Sequence, residues 1–173
     1  MLLDPSEVAT GRWFIKSDRA YLIGSGGQMT QEVRRARRAG VETVWRLMEN
    51  LDDDRRFVTQ IYPFMTDADA ESSLSHLPDH WFVKPLVRTS IKSEGIVEGM
   101  RPPGLAHSLF YEVETDGPNG SRTERLISGT VEEILLIMNF SGPTGSWTWD
   151  DALSIVEMQT QRIDRVLLEY STD

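Results

Sequence analysis

The 173-residue chain reads as an α+β protein: a mostly antiparallel sheet of five to seven strands, covered on one face by a long helix over about 30–51 and a C-terminal helix over about 148–170. Three observations predict this class. Short segments rich in β-branched and aromatic residues, such as RWFIK, RFVTQIYPF and LFYEVET, recur between turn-forming residues. LFYEVET is followed by DGPNGS and RTERLI, the pattern of a hairpin. Two longer stretches repeat apolar residues at steps of three and four, the spacing of one helix face.

Residues 1–11 read as a lead-in, with Pro5 and Ser6 opening a short helical turn. Arg12–Lys16 and Arg19–Ile23 are two strands of a hairpin turning at Ser17–Asp18. Gly24, Ser25, Gly26 and Gly27 then break regular structure. Thr30 caps the long helix, whose stripe is Val33, Ala36, Gly40, Val44, Leu47, Met48 and Leu51. Gly40 costs that helix about 1 kcal/mol against alanine and marks a kink. Asp52–Asp54 belong to the following loop, because acids oppose the dipole at a helix C-terminus.

Arg56–Phe64 is a strand as far as Pro63. Met65–Asp79 is mainly a connection, with room for a brief helix from Asp67. Apolar character resumes at His80–Val83, and Leu86–Val97 is a strand interrupted near Gly95. Gly99–Gly104 is irregular, since proline fixes φ and removes a donor. Leu109–Thr115 and Arg122–Ile127 are the arms of the hairpin. Thr130–Asn139 reads as a short buried helix opened by a capping box, Thr130 with Glu133; a buried strand is the alternative. The last helix begins at Thr148, carries Asp150 and Asp151 in its first turn, and shows an apolar stripe from Ala152 to Tyr170.

Composition is that of a soluble globular protein, 39% hydrophobic and 26% charged, and the length suits one domain over 1–173. No run of 18 apolar residues spans a membrane, and MLLDPSEVATGRW lacks the basic and apolar regions of a classical signal peptide. There is no cysteine, which removes disulfides, thiolate nucleophiles and cysteine-bound zinc and fits the cytoplasm. Net charge is −9 and uneven: residues 1–51 hold 8 basic and 6 acidic side chains, residues 52–173 hold 10 and 21. An acidic surface favours a basic partner.

The motifs with chemical meaning are few. The glycine loop Gly24, Ser25, Gly26, Gly27 before a helix is a weak anion site, because Met29 stands where the dinucleotide fingerprint needs glycine and Gln28 where a P-loop needs lysine. Arg34, Arg35, Arg37 and Arg38 do not share one helix face and read as a solvated arc rather than a nucleic-acid site. His76 and His80 have metal-ligand spacing, but Pro78 between them opposes a helix and no third ligand is near. No G-x-S-x-G elbow is present, and the adjacent carboxylates Glu132–Glu133 and Asp150–Asp151 point apart on a helix. These patterns assign no catalytic residue, metal or cofactor.

The function expected is therefore a non-enzymatic interaction domain, most concretely an immunity- or antitoxin-like inhibitor of a basic protein such as a toxin. Its partner-facing residues are Asp52, Asp53, Asp54, Glu132, Glu133, Trp147, Trp149, Asp150 and Asp151. Tryptophans at a loop–helix junction serve either as a binding anchor or as a clamp fixing the last helix. The competing expectations are a small-molecule site or enzyme with a pocket between sheet and helix, marked by arginine or histidine with paired acids, and a nucleic-acid binder through Arg34–Arg38.

Overall fold

A computed structural model describes residues 1–8, 11–24, 30–76, 90–97, 99–100, 102, 104–118 and 120–171. Within them the α+β class holds. Seven strands form one antiparallel sheet in the order β1-β2-β3-β7-β6-β5-β4. They are Trp13–Leu22 (β1), Glu42–Asn50 (β2), Arg56–Pro63 (β3), Ser90–Ile96 (β4), Ala106–Gly117 (β5), Gly120–Val131 (β6) and Ile134–Pro143 (β7). Three helices join them: Gln31–Arg38 (α1), Asp67–Ser75 (α2) and Trp149–Ser171 (α3).

The long helix expected over 30–51 is two elements. Thr30 caps α1 as expected, its hydroxyl accepting the Val33 amide at 3.4 Å. Gly40 ends the helix rather than kinking it, at φ +77°. The Gly40 amide donates to Arg37 at 3.1 Å and the Val41 amide to Ala36 at 3.0 Å, the two closing bonds of a Schellman cap. Val41 packs on the cluster that buries Ala36, supplying the apolar contact of that cap. The segment after it, with Thr43, Val44 and Trp45, is β2, paired on both sides.

Three more expectations are corrected. Ser17–Asp18 is not a turn: β1 is one strand whose register slips between Ile15 and Ser17, so Lys16 is a bulge. Residues 67–75 form a full helix, α2, capped by the Thr66 hydroxyl on the Asp69 amide at 3.2 Å. Residues 130–139 are not a helix. Glu132 and Glu133 make a tight turn, Glu132 at φ +48°, between β6 and β7. The strand alternative is the one realised: β7 lies mid-sheet with both faces covered, so its apolar run is continuous. The expected segments at 80–83 and 86–89 lie outside the described residues.

The helices also do not share one face. Ile134, Leu136, Met138 and Phe140 of β7 point toward α3, where Ile155, Val156 and Ile163 are buried against them. Leu135 and Ile137 point the other way, into a smaller cluster with Ala36 of α1 and Ala70 and Leu74 of α2. Side chains alternate along a strand, so a central strand feeds two cores.

Candidate partner-docking surface and an arginine groove

The pairing of β3 with β7 sets Arg56 opposite Ser141. It therefore lays the β2–β3 loop, which carries Asp52–Asp54, beside the β7–α3 loop, which carries Trp147–Asp151. Two acidic segments far apart in the chain meet at one end of the sheet. Glu132 and Glu133 sit at the opposite end, beyond a strand of 10 residues. At about 3.3 Å per residue that is roughly 30 Å away, so they do not join the same surface.

Each aspartate of the loop holds an arginine. Asp52 accepts from Arg12 Nε at 2.9 Å and pairs with its terminal nitrogen. Asp53 accepts from Arg55 Nε at 2.8 Å, and Asp54 pairs with Arg122 on β6. The Arg12 hydrogen bond lowers the Asp52 pKa. Both side chains are exposed to solvent, which screens the pair. Asp151 is a capping residue: it accepts from the Thr148 amide at 3.1 Å and hydroxyl at 2.7 Å, while its own amide donates to that hydroxyl at 3.0 Å. The hydroxyl bond holds its pKa below the ordinary value. Asp150 is exposed in the same turn.

The tryptophans divide. Trp147 is 2% exposed. It stacks on Trp13 at 5.7 Å, meets Phe57 and Phe140 edge-on, and donates from Nε1 to the Ser141 carbonyl at 3.2 Å. The Arg55 guanidinium sits 5.1 Å from its ring. It is the clamp of the last helix and has no face for a partner. Trp149 is half-buried, edge-on to Phe110 at 5.9 Å and under Arg125 at 5.2 Å.

Of the glycine loop, Ser25, Gly26 and Gly27 lie outside the described residues. Gly24, at φ +78°, offers its carbonyl, which accepts from Arg37 Nη1 at 3.0 Å. That contact recruits a cation rather than an anion. Arg35 pairs with the buried Asp69 of α2 and so ties α1 to α2. His76 ends α2 with Nδ1 2.7 Å from the Ser72 carbonyl; His80 is outside the described residues. His107, at φ +47° in a β5 irregularity, faces Glu71 at 3.5 Å. Among the described residues no group of three or more histidine, aspartate or glutamate side chains is placed to hold a metal. No described helix is long and apolar enough to cross a membrane.

On the α3 face, at the β1 edge, a groove of about 610 Å³ is lined by Met1, Leu2, Asp4, Asp18, Arg19, Ala20, Val44, Arg46 and Arg162. Arg46 Nη1 donates to the Leu3 carbonyl at 2.7 Å, and Nη2 meets Asp18 at 2.5 Å. Arg162 donates to Glu7 at 2.7 Å. The N-terminal segment that walls the groove is pinned to α3 by Gln159, through the Leu3 amide at 3.2 Å and the Met1 carbonyl at 2.8 Å. Reading 42–50 as a strand would have put Arg46 beside Asp18; no local signal brings in Arg162.

No protein-family model matches the chain, and no curated protein matches it.

Proposed function

We propose that the chain is a non-enzymatic protein–protein interaction domain whose acidic sheet end docks on a basic protein, in the manner of an immunity or antitoxin inhibitor of a toxin. The observation that supports this is the β3–β7 pairing, which gathers Asp52–Asp54 and Asp150 at one end of a chain of net charge −9. Asp52, Asp53 and Asp54 already hold arginines, so a partner's cations exchange into existing pairs rather than meet bare carboxylates. Such surface pairs are weak individually and exchange readily. Half-buried Trp149 adjoins this end and supplies apolar contact. A chain without cysteine suits the cytoplasm, where such an inhibitor meets its toxin.

The test is kinetic. A partner captured from the native host at low salt is titrated against two charge-reversed proteins. Asp52, Asp54 and Asp150 changed to Lys should slow association about tenfold or more, with a reduced salt dependence. Glu132 and Glu133 changed to Lys, at the far end, should leave association within about twofold. Equal rates for the two variants, or an association rate indifferent to salt, would remove the proposal.

A further inference from the structure

The groove at the β1 edge has a charge arrangement unlike that of the acidic end. Arg46 and Arg162 converge on it from the sheet and from α3. The Nε atoms of both are buried and without a hydrogen-bond partner. Arg46 is held in place, 16% exposed, by the Leu3 carbonyl at one end. Its carboxylate partner Asp18 is 44% exposed on an edge strand and is the more solvent-accessible member of the pair. The other lining acid, Asp4, is occupied by the Ser6 amide at 3.0 Å and hydroxyl at 2.7 Å. The α-amino group of Met1, lining the same groove, has a lowered pKa through burial and then through Arg162 and Arg46. Leu2, Ala20 and Val44 add an apolar strip beside the guanidinium groups.

We propose that this groove binds an amphiphilic organic anion, whose head displaces Asp18 from Arg46 and shares Arg162 with Glu7, and whose apolar body lies along Leu2, Ala20 and Val44. The guanidinium of Arg46 is already oriented, so little ordering opposes the exchange. Carboxylate, sulfonate and phosphate heads share the needed chemistry. The site is separate from the acidic end and independent of the function proposed there.

The probe is 8-anilinonaphthalene-1-sulfonate, a fluorescent amphiphilic anion, titrated against the full chain, with octanoate and octylammonium as competitors. Saturable binding displaced by octanoate and not by octylammonium is expected. Asp18→Asn frees Arg46 and should tighten binding severalfold, whereas Arg46→Gln should weaken it about tenfold. Near-UV circular dichroism of each variant separates site binding from dye uptake by a loosened fold. If Arg46→Gln fails to fold, the Asp18→Asn result alone decides. Weaker or unchanged affinity in Asp18→Asn overturns the proposal. So does unchanged affinity in a folded Arg46→Gln, displacement by octylammonium, or no saturable binding to the wild type.

Discussion

The two faces of the sheet are built from one strand set and differ in quality. On the α3 side, β7 contributes four large side chains in a row, and Trp13, Phe57, Phe140 and Trp147 interlock around them. On the α1–α2 side, the same strand contributes Leu135 and Ile137, then Asn139. That side also buries polar atoms without partners: the hydroxyls of Thr43 and Ser128 on the sheet, Ser73 on α2, and Asn139 Oδ1. A buried unsatisfied hydroxyl costs about 1–3 kcal/mol. Unpartnered buried atoms occur on both sides, Arg46 and Arg162 Nε among them on the α3 side, so the difference lies in the apolar and aromatic packing, which is more extensive under α3.

The largest effect that tests this contrast is a charge in the better core. Ile163 is fully buried under α3. Ile163→Asp should cost more than about 4 kcal/mol and leave little folded protein by thermal or urea melting. Leu74→Ala, 6% exposed beneath α2, should cost about 2–3 kcal/mol and leave the sheet folded. The like-for-like truncation Ile163→Ala should cost more than Leu74→Ala, and equal costs would mean that the faces are energetically equivalent.

A smaller effect carries more information because its sign is unusual. Ser128→Ala removes a fully buried hydroxyl that makes no bond. It should be neutral or stabilising by up to about 1 kcal/mol in urea melts. A clear loss of stability would mean that the hydroxyl is satisfied, by an internal water for example, and that the α1–α2 side is better built than it looks.

The smallest effect is on acid stability and touches both sides. Glu32 in the first turn of α1 and Asp151 in that of α3 have lowered pKa values, Glu32 through its own backbone amide and then Thr30, Asp151 through Thr148. A carboxyl whose folded pKa lies below its unfolded one binds protons better when unfolded. Its contribution is present above the unfolded value, near pH 4, and is lost as pH falls through the folded one. Replacing Asp151 by Asn should flatten the acid limb of a stability–pH curve while leaving its shape near pH 7 unchanged. An unaltered acid limb would show that the cap is not made in solution.

Much of this architecture was legible. The hairpin arms, the strand ending at Pro63 and the C-terminal helix carried period and turn signals that agreed with each other. Residues 42–50 misled because Val44, Leu47 and Met48 satisfy a helical stripe. They also alternate as a strand whose two sides both carry apolar residues. Gly40 was the arbiter, and its position fits a cap as well as a kink. Residues 134–143 misled for the related reason that a strand covered on both sides loses its alternation. The acidic end was legible in part, since Asp52–Asp54 and Asp150 stand out as charges but only strand pairing shows that Glu132 and Glu133 lie elsewhere. The groove was not legible, because its residues come from the N-terminal segment, two strands and a helix.

The sheet order has a kinetic meaning. β1-β2-β3 and β4-β5-β6-β7 are each runs of neighbouring antiparallel strands, joined by the single seam between β3 and β7. Arg56 and Ser141, which bond across that seam at 3.0 Å, are 85 residues apart in sequence. Closing so long a loop is the entropic toll that local pairings avoid. Folding is therefore expected to be gated by the joining of two locally formed meanders. In chevron measurements, Asp116→Ala at the tip of the locally formed β5–β6 hairpin should act mainly on refolding, whereas Val58→Ala on the seam should divide its effect between refolding and unfolding. The strand pairing that assembles the acidic end would then be among the last parts of the sheet to exist.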